Sequence, residues 1–345
     1  MSALAPRLTR RLFLAASAVG LALPASADTA PWQAVAGRAR ALEQTHALAI
    51  RFAGSEVLSD AFRGPPIGRA VPIKSVSKSV VGALTCAALD RGEIPALDAT
   101  LGDLAPQLIP RGADPRVADI TIEQLVTMQT GLERTSGGNY GSWVSSADWV
   151  ANALSRPFVA EPGSRMLYST GSFHILGAVL SEIAGESLLS LARRRLGEPL
   201  GIEIPPWTRD PQGRYMGGNE MSLSLPAMLR FGEMYRQGGR WGDAQILSRD
   251  WVERSLQPRT RSPFSGLGYG LGWFVGAARG ERYILARGYG GQVICVVPAL
   301  ELTVALTSDP ALPARSAGHF GAIMDLIEDT ILPTARAEKA RLRDA

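Results

Sequence analysis

The chain has 345 residues, of which 46% are hydrophobic and 20% charged, with a formal net charge of +4. That is about two ordinary domain lengths at ~150 residues each, with enough apolar side chain for a real core. No basic run is interleaved with aromatics, so the charge does not point to nucleic acid. The three histidines, His46, His174 and His319, are far apart and lack metal-ligand spacing, so neither a metal nor a cofactor is expected.

Residues 1–27 read as a cleaved export signal. Arg7, Arg10 and Arg11 precede an uncharged run over 12–23, and Ala25-Ser26-Ala27 offers a small-residue cleavage site. Thr9-Arg10-Arg11-Leu12-Phe13-Leu14 is similar to a twin-arginine signal, which implies a periplasmic protein that crosses the inner membrane already folded. The leader carries three arginines and no acid, so the chain without it has a net charge of +1. No later segment has the uncharged length of a membrane span.

In chain order, 31–46 reads as an amphipathic helix, followed by two short strands over 47–53 and 56–62 joined at Gly54-Ser55. After the proline-bounded stretch 65–72, the small apolar run 80–88 reads as a buried helix. From there to about 235 the signals are mostly helical. Thr121 and Gln124 form a capping-box pattern, with Gly131 as the stop. Residues 135–146 read as a glycine- and serine-rich loop carrying Tyr140 and Trp143, a mobile rim over a pocket. A helix is expected over 173–184, then strands over 269–275, 282–287, 292–297 and 302–307. The helix at 318–332 has Phe320, Ile323, Ile327 and Ile331 on one face. Cys86 and Cys295 fall in a buried helix and a buried strand, and are expected as two small core residues. These signals predict an α+β chain whose antiparallel sheet is assembled from both termini and flanked by helices, with an inserted, mostly helical lobe. The sheet lobe spans about 28–74 and 236–335 and the helical lobe about 75–235, with the site in the cleft between them.

One stretch, 71–82, organises this plan. Ser75 and Lys78 stand three apart at a helix start, so the hydroxyl and the amine share a face. Unpaired backbone N–H groups and the positive end of the helix dipole lie there too. Of the 36 Lys and Arg residues only three are lysines, Lys74, Lys78 and Lys339, and two of them fall within these five positions. A desolvated lysine can lose its proton and act as a base, which arginine cannot. The residues alone leave two readings open: a nucleophile with its base, or two solvated lysines at a helix start.

Further signatures follow in order: Asp90-Arg-Gly-Glu-Ile94, Leu101-Gly-Asp-Leu104, Thr121 to Gly131, Pro162-Gly163 before Tyr168-Ser-Thr170, Pro199-Leu-Gly-Ile202, Gly270-Leu-Gly-Trp273 and Gly288-Tyr-Gly-Gly-Gln292. With Ser75-x-x-Lys78 at their head, they give residues 45–335 a pattern that resembles the serine β-lactamase-related, penicillin-recognising (class C-like) hydrolases. It looks nearest to the branch of esterases and nylon-oligomer (aminohexanoate-oligomer) hydrolases. The resemblance implies a β-lactamase/transpeptidase-like fold, with Ser75 as nucleophile, Lys78 as its base and Tyr168 as a partner in proton transfer to the leaving group. It implies an oxyanion hole of the Ser75 and Tyr289 backbone N–H groups, each worth roughly 3 kcal/mol. Without the resemblance Tyr168 reads as an ordinary half-buried tyrosine. Tyr140, Trp143, Thr170, Arg287 and Gly288 are pocket candidates.

Two departures stand out. Thr170 replaces the Asn of the β-lactamase branch, and Ala286-Arg287-Gly288 replaces Lys-Thr-Gly. Arg287 reads either as an anion clamp or, by strand alternation, as a residue turned away from the cleft. The expectation is a periplasmic serine hydrolase of a small ester, amide or peptide-like substrate. A β-lactamase or D,D-peptidase, a non-catalytic sensor on the same fold, and a Ser-His-Asp hydrolase are the alternatives. The last is disfavoured because no Gly-x-Ser-x-Gly occurs. N-terminal sequencing of the exported protein is expected to start near Asp28, and a start at Ser2 would refute the leader.

Overall fold

A computed structural model describes residues 30–344; the leader read at 1–27 lies outside the described residues. The first helix, α1 (Ala30–Ala41), ends earlier than expected because the chain enters strand β1 (Thr45–Phe52) at Thr45. A two-residue turn, Ala53-Gly54, connects it to β2 (Ser55–Ala61). Both turn residues take positive φ, the geometry that matches the twist of a tight hairpin.

A short strand β3 (Val71–Pro72) leads into α2 (Ser77–Asp90), and the helical part of the chain includes α3 (Thr170–Ala184). It returns through β4 (Ser222–Leu223), which pairs antiparallel with β3. After α4 (Leu225–Arg236) come the small hairpin β5 (Arg240–Trp241) and β6 (Ala244–Gln245), then six strands: β7 (Thr260–Arg261), β8 (Gly268–Tyr269), β9 (Phe274–Ala278), β10 (Glu281–Gly288), β11 (Gln292–Val297) and β12 (Leu302–Ser308). The chain closes with α5 (His319–Leu326), a π-helical turn over Ile327–Ile331, and α6 (Leu332–Asp344). Phe320, Ile323, Ile327 and Ile331 are all buried, as their shared face requires.

The main sheet runs β2-β1-β12-β11-β10-β9-β8-β7, antiparallel throughout. Strands from the two ends of the chain therefore meet at β1 and β12, giving the expected α+β, β-lactamase/transpeptidase-like plan. Every residue of β11 and β12 is buried, which is why both read as unbroken apolar runs. Ile294 and Cys295 face opposite sides of the sheet. On the Ile294 side lies α4, whose Gly232 admits it so closely that a Cβ there would sit 2.6 Å from the Ile294 side chain. On the other side Tyr283 donates to Glu328 in the turn after α5. Cys86 and Cys295 are free and buried, and burial pushes both thiols up to about 12. Among the described residues no single helix is long and apolar enough to cross a membrane.

Three further local expectations change. The single strand read at 269–275 is two strands, β8 and β9, because the chain between them dips onto α2. A Cβ on Gly272 (φ +89°) would lie 2.8 Å from the Lys78 carbonyl, and one on Gly82 2.5 Å from the Leu271 carbonyl. The capping box of Thr121 and Gln124 forms in both directions. Its helix stops at Val126, before Gly131, because Met128 turns left-handed at φ +58°. The loop read at 135–146 instead folds into a 3₁₀ turn, Gly137–Asn139, and a short helix, Tyr140–Val144.

The contact between α2 and the β8–β9 connection is tight enough to test. Gly82→Val forces side-chain volume against backbone, a strain of about 1–3 kcal/mol, and is expected to lower the urea midpoint accordingly. An unchanged midpoint would mean that this approach is looser than described.

Candidate active site

Ser75 lies in a 3₁₀ turn, Lys74–Val76, that runs directly into α2. Residues three apart on such a helical path share a face, which brings Lys78 beneath Ser75. The turn is entered through Lys74 at φ +51°, a left-handed conformation that costs a non-glycine residue about 1–3 kcal/mol. Several bonds hold it there. Ile73 N–H donates to the Met221 carbonyl, Ser77 Oγ donates to the Lys74 carbonyl, and Lys74 Nζ pairs with Glu220 at 3.2 Å. The two lysines of the stretch thus part ways: Lys74 is half-buried and paired to a carboxylate, while Lys78 is buried and has no ion-pair partner among the described residues.

Lys78 Nζ has three oxygens within hydrogen-bond distance: Ser75 Oγ at 3.2 Å, Thr170 Oγ1 at 3.3 Å and the Gly218 carbonyl at 2.7 Å. The rings of Tyr168 and Phe173 flank it, with centroids 4.9 and 5.8 Å away. Burial pulls the amine below the ordinary lysine value, an effect that the adjoining Tyr168 offsets in part. The carbonyl can only accept, so it fixes one N–H. A neutral amine gives its second N–H to Thr170 and turns its lone pair to the Ser75 hydroxyl. Thr170 is in turn tied to Ser136, whose Oγ lies 3.0 Å from Thr170 Oγ1 and accepts from the Thr170 N–H.

Ser75 and Tyr168 line one cavity of about 250 Å³, together with Ser262, Phe264, Phe274, Arg287, Gly288, Tyr289 and Ala314. Gly288 closes the distance between the sheet and Ser75. A Cβ there would lie 2.3 Å from the Ile73 carbonyl, so only glycine lets the end of β10 reach the segment bearing Ser75. Tyr289 follows directly, and among the described residues no carbonyl takes its N–H.

The remaining candidates divide. Thr170 is buried under Lys78 as its hydrogen-bond partner and is not on the cavity wall. Trp143 is a correction: it is fully buried, its N–H donates to the Trp149 carbonyl, and its ring packs on Trp149 and His174. Tyr140 also stands behind the site, accepting from Asn219 at 2.9 Å, and burial raises its phenol. Neither residue rims the cavity. Its exposed rim comes from Phe264 and Tyr289, which are 60% and 54% accessible. Arg287 stands on the cavity wall with its guanidinium over the Phe320 ring of α5, 3.5 Å from that centroid and 5.8 Å from that of Phe274. Burial lowers its pKa, offset in part by Tyr168, and no carboxylate pairs with it among the described residues.

Sequence reasoning missed the Gly218 carbonyl, Ser136 and Phe264. The one signal that could have pointed there is the Gly217-Gly218 pair, whose lack of side chains permits close approach: a Cβ on Gly217 would lie 2.0 Å from the Phe173 carbonyl. His174 proves to be more than helix packing. Its Nε2 lies 3.1 Å from Asp210 with both side chains fully buried, and its Nδ1 accepts from Gly217 N–H at 3.4 Å. No histidine contacts Ser75 among the described residues, so the Ser-His-Asp arrangement does not form there.

Similarity to known proteins fits this architecture. No curated protein matches the chain. Among solved structures, a Bacillus anthracis protein assigned as a 6-aminohexanoate-dimer hydrolase superposes with a TM-score of 0.73 at 19% identity, over 86% of this chain and 80% of its own. EstCE1, a hydrolase with promiscuous acyltransferase activity, gives 0.71 at 18% identity, over 87% and 98%. A D-stereospecific amidohydrolase from Streptomyces sp. gives 0.66 at 16% identity, over 86% and 98%. At these identities the likeness is one of fold. The model of the beta-lactamase family matches residues 68–319, most of the chain, and the chain therefore belongs to that family.

Proposed function

We propose that the chain is a serine hydrolase that cleaves an ester or amide bond through an acyl group carried on Ser75. The observation that carries the reading is the Lys78 amine: buried, without a carboxylate, and 3.2 Å from the Ser75 hydroxyl. In the first half-reaction Ser75 Oγ attacks the carbonyl carbon while its proton passes to Lys78 Nζ. The carbonyl oxygen becomes an oxyanion facing the Ser75 and Tyr289 N–H groups, each worth roughly 3 kcal/mol to it. The tetrahedral centre then collapses, and the leaving alkoxide or amine takes a proton from the side of Tyr168 and Lys78. In the second half-reaction water attacks the acyl-enzyme and the same groups return the proton to Ser75 Oγ. The scheme uses no cofactor.

The aromatic rim of Phe264 and Tyr289 favours a small substrate with an apolar group beside the scissile bond. In the strand where the penicillin enzymes carry Lys-Thr-Gly, this chain has the buried Ala286 followed by Arg287 and Gly288. That weighs towards the esterase and amide-hydrolase branch. Nitrophenyl esters of short acids are expected to be turned over faster than a chromogenic cephalosporin. A cephalosporin turned over faster than every ester would move the assignment to the β-lactamases, and a single burst without steady turnover would make the protein a sensor.

Ser75→Ala is expected to abolish labelling by a fluorophosphonate probe while the fold survives; labelling at the wild-type rate would remove Ser75 from the scheme. Lys78→Ala and Lys78→Arg are both expected to lower kcat/KM by about 10²–10⁴, since a charge without a lone pair cannot serve as base. An active Lys78→Arg enzyme contradicts the base role. The pH dependence has a definite sign. The base is the deprotonated amine, and burial lowers its pKa, so kcat/KM rises with pH through a limb below the ordinary lysine value of 10.5.

A further inference from the structure

We propose that Gln292, Ser308 and Gln44 form a clamp that positions the Tyr289 amide, making them positioning residues for the oxyanion; this rests on the serine-hydrolase reading above. The Tyr289 side chain is 54% exposed, so its own packing cannot locate its N–H. The turn that presents it, Tyr289-Gly290-Gly291, is held from behind instead. Its two glycines take φ of +81° and +96°, and both are pressed onto neighbouring elements. A Cβ on Gly290 would lie 2.4 Å from the Asp309 carbonyl, and one on Gly291 2.9 Å from the His319 ring.

Apart from its own bond from Gly291 N–H to the Gly288 carbonyl at 3.1 Å, the turn takes its hydrogen bonds from the rear. Gln44 Nε2 donates to the Gly290 carbonyl at 3.1 Å, and Ser308 Oγ donates to the Gly291 carbonyl at 3.1 Å. With its proton committed, Ser308 Oγ accepts from His319 Nε2 at 2.9 Å. Gln292, fully buried, grips the Ser308 backbone at both ends: Nε2 donates to its carbonyl at 2.8 Å, and its N–H donates to Oε1 at 3.2 Å. The β11–β12 backbone register starts at Val293 and Leu306, so the Gln292 amide stands in for a peptide unit where the main chain has turned away. From the front, Gly288 abuts the Ile73 carbonyl just before Ser75. The turn is thus fixed between the nucleophile segment and β12, and the N–H of Tyr289 is left without a carbonyl partner among the described residues. An oxyanion donor contributes through being fixed before the charge develops, so the rear bonds bear on rate more than on substrate binding.

The test uses Gln292→Met and Ser308→Ala, with Gln44→Ala as the milder variant that cuts the more accessible bonds. The readouts are kcat and KM on a nitrophenyl ester and the Ki of an arylboronic acid. In the boronate adduct an Oγ–B bond forms, the Ser75 proton passes to Lys78, and a boron-bound oxygen takes the oxyanion position. The clamp predicts that kcat and boronate affinity fall together, at least tenfold for Gln292→Met and Ser308→Ala and about threefold for Gln44→Ala, with KM within twofold of wild type. A merely structural role would lower the unfolding midpoint and leave kcat and Ki where they were. That result, in whichever variants fold, overturns the inference. If the wild-type enzyme neither turns over the ester nor forms the adduct, the serine-hydrolase reading fails first and takes the clamp with it.

Discussion

An amine removed from water and given three oxygens but no carboxylate is the constraint around which the rest of this chain is arranged. A buried lysine ordinarily recovers its charge by pairing with an acid, as the half-buried Lys74 does with Glu220. Lys78 has only neutral partners, drawn from three separate pieces of chain: Ser75 on the turn before α2, Thr170 at the start of α3, and Gly218 on the segment leading to β4. Neutral acceptors satisfy the hydrogens of the amine without restoring the field of a counter-ion, so desolvation governs its pKa.

Bringing those pieces together demands closer approach than side chains allow, and glycine supplies it at each junction. Gly272 touches the Lys78 carbonyl, Gly218 lies against the Thr170 carbonyl, and Gly288 lies against the Ile73 carbonyl. The sheet and the helical lobe are therefore joined around Ser75 by main chain pressed on main chain. Such contacts leave little room for the site to shift without moving the framework. His174 and Asp210 add a buried polar pair behind Gly217, next to the carbonyl that receives the lysine.

What could be read from the sequence was whatever side-chain chemistry or periodicity announced. The unbroken apolar runs of β11 and β12, the capping box at Thr121, and a Ser-x-x-Lys pair in a lysine-poor chain were all legible for that reason. The Gly218 carbonyl was not, because a backbone acceptor has no residue type. Trp143 was misread because a glycine- and serine-rich stretch suggests a surface loop, whereas tertiary packing folds it into a helix that buries the indole against Trp149 and His174. Arg287 could not be oriented without the register, which places it opposite Val293 and directs it to the Phe320 ring. The single strand expected at 269–275 failed for a similar reason. Its glycines serve a contact with α2 that no local pattern records.

The chain has only three lysines, so the central claim can be tested directly. Lysine labelled with ¹³C at Cε would give few resonances, and the one lost in Lys78→Arg belongs to Lys78. Followed by NMR against pH in the folded protein, that resonance is expected to titrate below the ordinary lysine value of 10.5. A Lys78 resonance that titrates at or above 10.5 would leave the amine charged at working pH and contradict the account.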